Sequence, residues 1–455
     1  MAQPTTDRGM TIFSIVWFGQ LISLIGSGLT RFALGVWVYQ LTNSVTLFAF
    51  ITLAVALPGI VLAPFAGALV DRWDRRKVMI ASDTGAAICT LAIALLLWGG
   101  NLALWHIYIA VGVSAVFNAF QMPAFMAAIS LLVPKQHLGR ANGMLQVSEA
   151  ASQIVAPLLA GVLVLTIQLE GVILIDVITF LVGVAALLAV RFPEPERTAE
   201  GEEGRGSLLR EAGYGLSYIA ARPGLMGLLL FFAMINFTFN MIAVLYTPLL
   251  LKFTTAAALG SVMAISGAGF LVGSLIMSAW GGPQRKIYGV LGFGLLFGLS
   301  ILLTGVYEST VLIAVAAFAT MLWVPLINGS SAGIWHVKVA PDVQGRVFAT
   351  RMMIAWSATP LSYILAGPLT DYVFEPLLLE GGALSGSVGQ IVGVGAGRGI
   401  GLLFIALGLL TALAAVVGWL NPRVRLIEQE LPDQIGDRAP AAADGQAQEA
   451  IPATS

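Results

Sequence analysis

A succession of long apolar stretches limits the fold of this chain more than any other feature of its sequence. A helix needs roughly 20 apolar residues to cross the hydrocarbon core of a membrane. The stretches are continuous rather than alternating, which argues against the strands of a membrane barrel. Charged, glycine-rich or proline-rich breaks leave twelve predicted transmembrane helices, at 11–41, 46–70, 78–99, 103–132, 143–166, 171–190, 224–251, 259–280, 287–305, 310–334, 350–373 and 397–420.

Composition agrees with a membrane protein. The chain of 455 residues is 58% hydrophobic and 10% charged, whereas soluble domains carry about 25% charged residues. A net charge of −1 gives no reason to expect a nucleic-acid partner, and the single cysteine, Cys89, cannot form a disulfide within the chain. The first apolar stretch is too long for a signal peptide and lacks a convincing cleavage site, so we interpret it as a retained helix.

Several short sequence features recur 206 residues further along the chain. For example, VPKQHLGR at 133–140 aligns with VAPDVQGR at 339–346. Internal duplication of a hydrophobic chain is typical of secondary transporters, and here both copies run in the same direction. We therefore predict two pseudo-symmetric six-helix halves, 1–190 and 223–420. The repeated features are Gly67 with Gly273, Gly139-Arg140 with Gly345-Arg346, and Ala160-Gly161 with Ala366-Gly367.

Lysine and arginine predict the orientation. Of the 23 basic residues, 20 fall on one side of the predicted membrane, only Lys252 and Arg398 fall on the other, and Arg31 lies within the first helix. The side rich in basic residues faces the cytoplasm, which places both termini there, in a multi-pass protein of the cell membrane. Residues 191–222 are polar and rich in Gly and Glu, as in a cytoplasmic linker, and 421–455 has the composition of a disordered tail.

Three motifs carry a family resemblance. GALVDRWDRRK at 67–77 lies between helices 2 and 3, SLLVPKQHLGRANG spans Ser130–Gly143, and VGVGAGRGIGLLF occupies 392–404. With the duplicated twelve helices, and with Asp176 and Phe180 in helix 6, the chain resembles the major facilitator superfamily, and within it the branch of macrolide-efflux and siderophore-exporting members. The resemblance covers 11–420 and implies an all-α transporter that acts as a monomer by alternating access.

The resemblance also implies a cytoplasmic gate. In the family, the carboxylate at the position of Asp71 docks against the start of helix 11, here near Arg346, when the cytoplasmic side is shut. Helix N-termini attract carboxylates, so this contact favours the outward-facing state. The alternative is that the basic residues only anchor the chain at the membrane surface. The predicted gate residues are Gly67, Asp71, Arg72, Arg75, Arg76, Arg140 and Arg346.

Helix 5 contains ASQIVAPLLAG at 151–161, a loosened form of the GPxxGG pattern that exporters of the family carry there. Pro157 bends a helix because it cannot donate a backbone hydrogen bond, and Gly161 permits close contact with a neighbouring helix. The pattern favours export over import. Ordinary helix packing accounts for it equally well.

Polar side chains form stripes on several predicted helices, and in the family helices 1, 4, 7 and 10 line the central cavity. Polar residues inside a membrane segment commonly mark a substrate pathway. Alternatively, any one of these amides bonds a neighbouring helix. The predicted residues of the substrate cavity are Gln20, Ser27, Arg31, Asn118, Gln121, Gln153, Asn236, Asn240, Trp323 and Asn328.

Some ionisable residues lie within the predicted helices. Arg31 is expected to face the cavity, because its charge is costly against lipid. Glu149 is the candidate for proton coupling, with a structural network as the alternative, while Asp83 and Asp176 lie near helix ends and are interpreted as structural. Many proton-driven drug exporters of the family have an arginine in helix 4, and 103–132 has none. Coupling to H⁺ therefore rests on the resemblance alone.

Enzymatic chemistry has no support in the sequence. There is no GxxxxGK[ST] motif for ATP, and the three histidines are scattered, which predicts no metal site and no cofactor. We predict a secondary transporter that exports an amphipathic small molecule, such as a drug, a macrolide-like compound, or a siderophore or other secondary metabolite. The alternatives are an importer of a polar nutrient and a transporter-like sensor or lipid-handling protein.

Overall fold

The computed structural model describes residues 6–70, 73–133, 137–190, 192, 216–339 and 344–433. These ranges contain twelve long helices and no strand. The helices are α1 (Thr6–Thr42), α2 (Val45–Val70), α3 (Arg75–Trp98), α4 (Leu104–Leu132), α5 (Leu138–Thr166), α6 (Gln168–Ala189), α7 (Pro223–Leu251), α8 (Ala256–Trp280), α9 (Lys286–Val306), α10 (Thr310–Lys338), α11 (Gln344–Pro368) and α12 (Arg398–Leu420).

Eleven of these helices, within the described ranges, are long and apolar enough to cross a membrane. The exception is α11, because Arg351, Ser357 and Ser362 interrupt its apolar residues. A π-helical turn, Leu369–Phe374, continues α11 to the end of the predicted span 350–373. The chain is therefore an all-α, multi-pass membrane protein, and the predicted number of twelve helices is approximately confirmed.

The packing of the helices repeats between the halves. In the first half, α1 contacts α5 and α6, α2 contacts α4, and α3 contacts α4 and α6. In the second half, α7 contacts α11 and α12, α8 contacts α10, and α9 contacts α10 and α12. Adding six to each helix number converts the first set into the second, so the sequence repeat corresponds to a repeated arrangement in space.

Two helix pairs, α5 with α8 and α2 with α11, form the main contacts between the halves, and α7 also contacts α1 and α2. A Cβ atom on Gly161 would lie 2.6 Å from the carbonyl oxygen of Ala256 in α8. Its repeat partner, Gly367, would place a Cβ atom 2.2 Å from Cα of Thr46 in α2. Both distances are too short for any side chain, so the repeated glycine permits close approach at both junctions. Pro157 of the predicted packing motif also contacts α8, at Gly260.

The two faces of the bundle differ in how they hold the halves together. We call the face with the connections at 71–74, 133–137, 281–285 and 339–343 the basic face, and the face with the connections at 43–44, 252–255 and 369–397 the opposite face. Near the opposite face, one buried hydrophobic cluster includes Val36, Tyr39 and Phe48 from the first half together with Leu245 and Leu249 from the second. Burial of this shared apolar surface holds the halves together at the opposite face.

The chain remains ordered beyond α12, contrary to the prediction of a disordered tail from 421. Two short helices, Pro422–Arg425 and Ile427–Glu430, pack at the basic face. The carboxylate of Glu428 accepts the first two backbone N–H groups of α9, at 3.1 and 3.0 Å. Lys338, only 5% exposed, donates to the carbonyl oxygens of Glu428 and Leu431. These contacts order the segment to residue 433. Residues 434–455 and most of the predicted linker lie outside the described residues.

Candidate transport cavity and gates

A cavity of about 600 Å³ lies between the two halves. Helices α1, α2 and α5 bound it on one side, and α7, α8, α10 and α11 on the other. Most of its wall is apolar, with a few polar groups, as is usual for sites that bind small organic molecules. Its larger apolar side chains include Phe32, Phe48, Leu250, Met263 and Met321.

Three of the predicted site residues meet in this central cavity. Arg31 of α1 is exposed and lines it, as do Glu149 and Gln153 of α5. Glu149 accepts a hydrogen bond from Nε2 of Gln153 at 3.0 Å, a contact between side chains one helical turn apart. No ion pair within 4.0 Å is described for Arg31 or Glu149 in the described ranges. Both charged groups are therefore accessible from the cavity.

A second cavity, of about 340 Å³, lies inside the first half, and Arg31 lines it as well. Ser27, Asn118 and Asp176 are also on its wall. Ser27 donates to Asp176 at 3.4 Å, and Asp176 is only 1% exposed. Helix α4, which was expected to line the central cavity, contributes Asn118 to this second cavity instead.

Asp83 belongs to a chain of hydrogen bonds across the first half. Gln20 donates to Asp83 at 2.8 Å, and Gln121 donates to Gln20 at 3.0 Å. Neither glutamine lines a described cavity, so the interhelical alternative is the one observed for both. Placing Asp83 and Asp176 near helix ends was wrong. Each lies eight residues inside its helix, about 12 Å from the first residue at 1.5 Å per residue.

In the second half, Asn236 and Asn328 line a third cavity, of about 330 Å³, together with Arg351. Asn240 lies one turn further along α7, where its Oδ1 accepts a hydrogen bond from Tyr363 at 3.3 Å. Since Tyr363 lines the central cavity, Asn240 lies just behind the cavity wall. Trp323 is stacked on Phe293 of α9, with ring centroids 5.9 Å apart, and lines none of these cavities.

The predicted cytoplasmic gate is described only in part. Asp71 and Arg72 lie outside the described residues. For Gly67 and Arg346 only the helical backbone is described, whereas Arg140 is exposed in α5. Arg75 donates to the carbonyl oxygen of Ala127 at 3.4 Å, and Arg76 donates to those of Leu187 and Leu188 at 2.8 and 3.0 Å. Arg76 therefore satisfies carbonyl groups at the end of α6, a favourable position for a cation.

At the opposite face, a carboxylate from the second half caps a helix of the first. Asp371 accepts hydrogen bonds from Ser44 Oγ at 3.0 Å, from the backbone N of Thr46 at 2.9 Å and from Thr46 Oγ1 at 2.7 Å. The backbone N of Val45 donates to it at 3.3 Å. Helix N-termini have unsatisfied N–H groups and positive potential, so Asp371 stabilises the contact between α2 and α11.

Most of the chain matches one known protein family. A family model described as Major Facilitator Superfamily matches residues 16–362, which is most of the chain. The chain belongs to the major facilitator superfamily. It is a transporter and not an enzyme, and members of this superfamily bind small-molecule substrates.

Curated relatives agree with the predicted branch. Macrolide efflux protein A of Streptococcus pyogenes is 28% identical over 365 residues, which cover 79% of this chain and 90% of the relative. Multidrug efflux pump Tap of Mycobacterium tuberculosis is 26% identical over 379 residues, covering 78% of this chain and 86% of that protein. The resemblance to efflux proteins of the superfamily is confirmed.

Solved structures share the fold at low identity. A bacterial homologue of the human lysosomal transporter Spinster, in an inward-facing and unoccupied conformation, is 16% identical with a TM-score of 0.67, and the match covers 94% of this chain and 99% of the other. The nucleoside transporter NupG is 12% identical with a TM-score of 0.63, and that match covers 89% of this chain and 98% of the other. At these identities the similarity shows the fold of this major facilitator protein alone.

Three residues of this major facilitator protein were missed or underrated from the sequence. Asp371 is the only acidic residue in the predicted span 350–373, and an acidic residue in an apolar membrane helix commonly marks a functional position. Asp176 and Arg351 are also charged residues in predicted helices, but Asp176 was placed near a helix end and Arg351 was counted among the 20 basic residues on the cytoplasmic side. Which helix each of them contacts depends on packing that a single sequence does not contain.

Proposed function

We propose that this protein exports amphipathic small molecules from the cytoplasm by alternating access, in exchange for protons. The observation that carries the proposal is the mainly apolar central cavity between the halves, on whose wall Arg31 and Glu149 are accessible. An apolar wall suits the body of an amphipathic molecule, and a few polar groups orient it. The names of the relatives, a macrolide efflux protein and a multidrug efflux pump, support export and a macrolide-like or drug-like substrate.

The basic face is assigned to the cytoplasm because most basic residues of the chain flank it. The opposite face is then extracellular, and the shared hydrophobic cluster and Asp371 close it. We therefore assign the structure to the inward-facing half of the cycle. Export requires the halves to separate at the opposite face while the predicted gate at Asp71 closes the basic face.

Glu149 is proposed as the group that takes up and releases the coupling proton. Its carboxylate lines the central cavity and is exposed, so it can exchange a proton with water on whichever side the cavity opens. Asp176 is the other carboxylate near Arg31, but it is buried inside the first half. Arg31 remains protonated, so it supplies a fixed positive charge for a polar group of the substrate.

Direction and coupling are tested together in cells that express the protein, with radiolabelled erythromycin as the probe. We expect lower accumulation than in cells with an empty vector, and equal accumulation once a protonophore has collapsed the gradient. Higher accumulation in the expressing cells under the same gradient would instead indicate the importer. Purified protein in proteoliposomes, with and without an imposed pH gradient, distinguishes direct transport from an indirect effect on the cells.

A further inference from the structure

The cavity of about 330 Å³ in the second half is separate from the central cavity, and it contains a charged group with no opposite charge on the described wall. Helices α7, α10 and α11 line it, and the lining residues of the two cavities do not overlap. Its volume lies within the range of sites that hold small organic molecules. Arg351, on α11, is the residue on its wall that carries a permanent charge.

The described residues around Arg351 hold it in place without neutralising its charge. Its Nη2 donates to Ser331 at 3.2 Å. Its guanidinium carbon lies 5.2 Å from the ring centre of Phe232 and 5.3 Å from that of Trp335, close enough for cation–π attraction. No carboxylate of the described ranges lies within 4.0 Å of it. These contacts position the guanidinium in advance, and no described carboxylate competes with a ligand for its charge.

The third cavity differs from the other two because its described wall has a positive charge and no carboxylate. Arg31 shares its cavities with the carboxylates of Glu149 and Asp176. Among the residues that the structure describes, the third cavity has no acidic one on its wall. A partly buried charge is stabilised when it pairs with an opposite charge. An anion therefore gains more binding free energy at Arg351 than at Arg31.

The rest of the wall indicates what kind of anion fits. Leu229, Phe232, Phe348 and Met352 present apolar and aromatic surface, and the amide of Asn328 makes no hydrogen bond to the described part of the chain. A guanidinium pairs with two oxygens of a carboxylate, sulfonate or phosphate in a planar, bidentate manner. The aromatic surface suits an apolar body attached to that group.

We propose that the Arg351 cavity is a binding site for an amphipathic organic anion, with its anionic group on Arg351 and its apolar body against Phe232 and Phe348. The Asn328 amide is a second donor to the anionic oxygens. That the bound anion is also a transported substrate rests on the proposed export function. Binding itself does not, because it needs neither a proton gradient nor movement of the halves.

The test uses two dyes with the same aromatic skeleton, 8-anilinonaphthalene-1-sulfonate and the neutral N-phenyl-1-naphthylamine. Purified protein in phosphatidylcholine nanodiscs is titrated with each dye, and binding is read as energy transfer from tryptophan, which reports dye close to the protein. We expect Arg351→Gln to weaken binding of the sulfonate by about tenfold or more, the effect of losing a charge-assisted hydrogen bond. Binding of the neutral dye should change by less than about twofold.

Two further variants complete the test. Arg351→Lys, which keeps the charge but loses the planar fork, should fall between wild type and Arg351→Gln for the sulfonate. Arg285→Gln removes a basic residue of the same half that is exposed outside the cavity and should bind both dyes as wild type does. Unchanged sulfonate binding in Arg351→Gln overturns the proposal, and so does an equal loss of both dyes.

The source of the anion is distinguished by repeating the titration with phosphatidylglycerol added to the nanodiscs. If phosphatidylglycerol lowers the sulfonate affinity of wild type but not that of Arg351→Gln, an anionic lipid headgroup competes for Arg351. If wild type keeps the same advantage over Arg351→Gln in both lipids, the ligand is a soluble anion. A failed export assay with intact sulfonate binding would refute the proposed function and leave this site in place.

Discussion

At the residue scale, the position of a carboxylate relative to water separates its possible roles. Glu149 and Asp176 each accept a hydrogen bond from a neutral donor, but Glu149 is exposed to the central cavity and Asp176 is 1% exposed. A coupling proton must reach water on each side of the membrane in turn. Exposure, and not the bonding pattern, therefore favours Glu149 for that role.

We predict that Glu149→Gln separates substrate binding from proton coupling. Glutamine keeps the size of the side chain and an oxygen that accepts from Gln153, so the cavity should keep its shape. In proteoliposomes, transport driven by a pH gradient should fall to background. Binding of erythromycin and its exchange across the membrane without a gradient should persist.

Glu380→Gln is the matched control, since Glu380 is exposed outside the cavities, and it should transport normally. Arg31→Gln should behave differently from Glu149→Gln, with weaker binding by about tenfold at every pH because a fixed charge is removed. If Glu149→Gln still transports in response to the gradient, the coupling proton binds elsewhere, and Asp176 becomes the next residue to test.

At the element scale, α2 and α11 form an antiparallel pair whose ends are joined across the two halves. Asp371, just beyond the end of α11, caps the start of α2 at the opposite face. The family resemblance implies the reverse contact at the basic face, between Asp71 at the end of α2 and the start of α11. The α2–α11 pair would then have one carboxylate cap at the opposite face when that face is closed, and another at the basic face when that face is closed.

We predict that Asp371→Asn weakens closure of the opposite face. The variant loses the negative charge at the N-terminus of α2, which costs about 1 kcal/mol for a helix cap of this kind. The ratio of inward-facing to outward-facing molecules should fall by about fivefold. Spin-label distances across the opposite face, measured in a Cys89→Ser background, should show a larger population with long distances.

Asp74→Asn is the matched control for this effect. Asp74 also caps a helix N-terminus, accepting from the backbone N of Arg76 at 2.9 Å and of Lys77 at 3.2 Å, but within the first half. It should lower stability without changing the distance distribution. Identical distributions in wild type and Asp371→Asn would mean that the hydrophobic cluster alone closes this face.

At the scale of the whole molecule, the repeated packing makes each half a bundle of its own, and the main junctions lie between α2 and α11 and between α5 and α8. In the proposed alternating-access cycle, the halves rotate about these junctions. The contact of Ser44 with Asp371 would then break in every cycle, because it joins the halves at the face through which the substrate is proposed to leave.

We predict that a covalent link at this contact stops transport. Ser44 Oγ and Asp371 Oδ2 are 3.0 Å apart, so cysteines at 44 and 371, in the Cys89→Ser background, should be joined by a short reducible cross-linker. Transport in proteoliposomes should fall to background after cross-linking and return on reduction. Dye binding in the Arg351 cavity should persist throughout.

The single variants Ser44→Cys and Asp371→Cys, treated with the same reagent, are the controls for the loss of the native contact. Full transport by the cross-linked double variant would contradict the assignment of the opposite face as a gate. It would also require the substrate to leave without separation of α2 and α11 there.

The sequence by itself determined the membrane-spanning helices, the duplication and the family. The reason is that these depend on local composition and periodicity: an apolar stretch of about 20 residues spans a bilayer wherever it occurs. The 206-residue repeat also located Gly161 and Gly367. Both proved to lie at close contacts between the halves.

Only the tertiary structure decided which polar residues share a cavity. Gln20 and Gln121 belong to a chain that ends at Asp83, while Arg31 and Glu149 meet in the central cavity. All four are polar or charged residues on apolar helices, so sequence periodicity gives the same prediction for each of them. The rotation and pairing of the helices determine which cavity or hydrogen bond each side chain reaches. Helix rotation and pairing depend on close packing between segments that are distant in the chain. The cap of α2 by Asp371 is seen only in the fold for the same reason, since Asp371 is 325 residues away from Thr46.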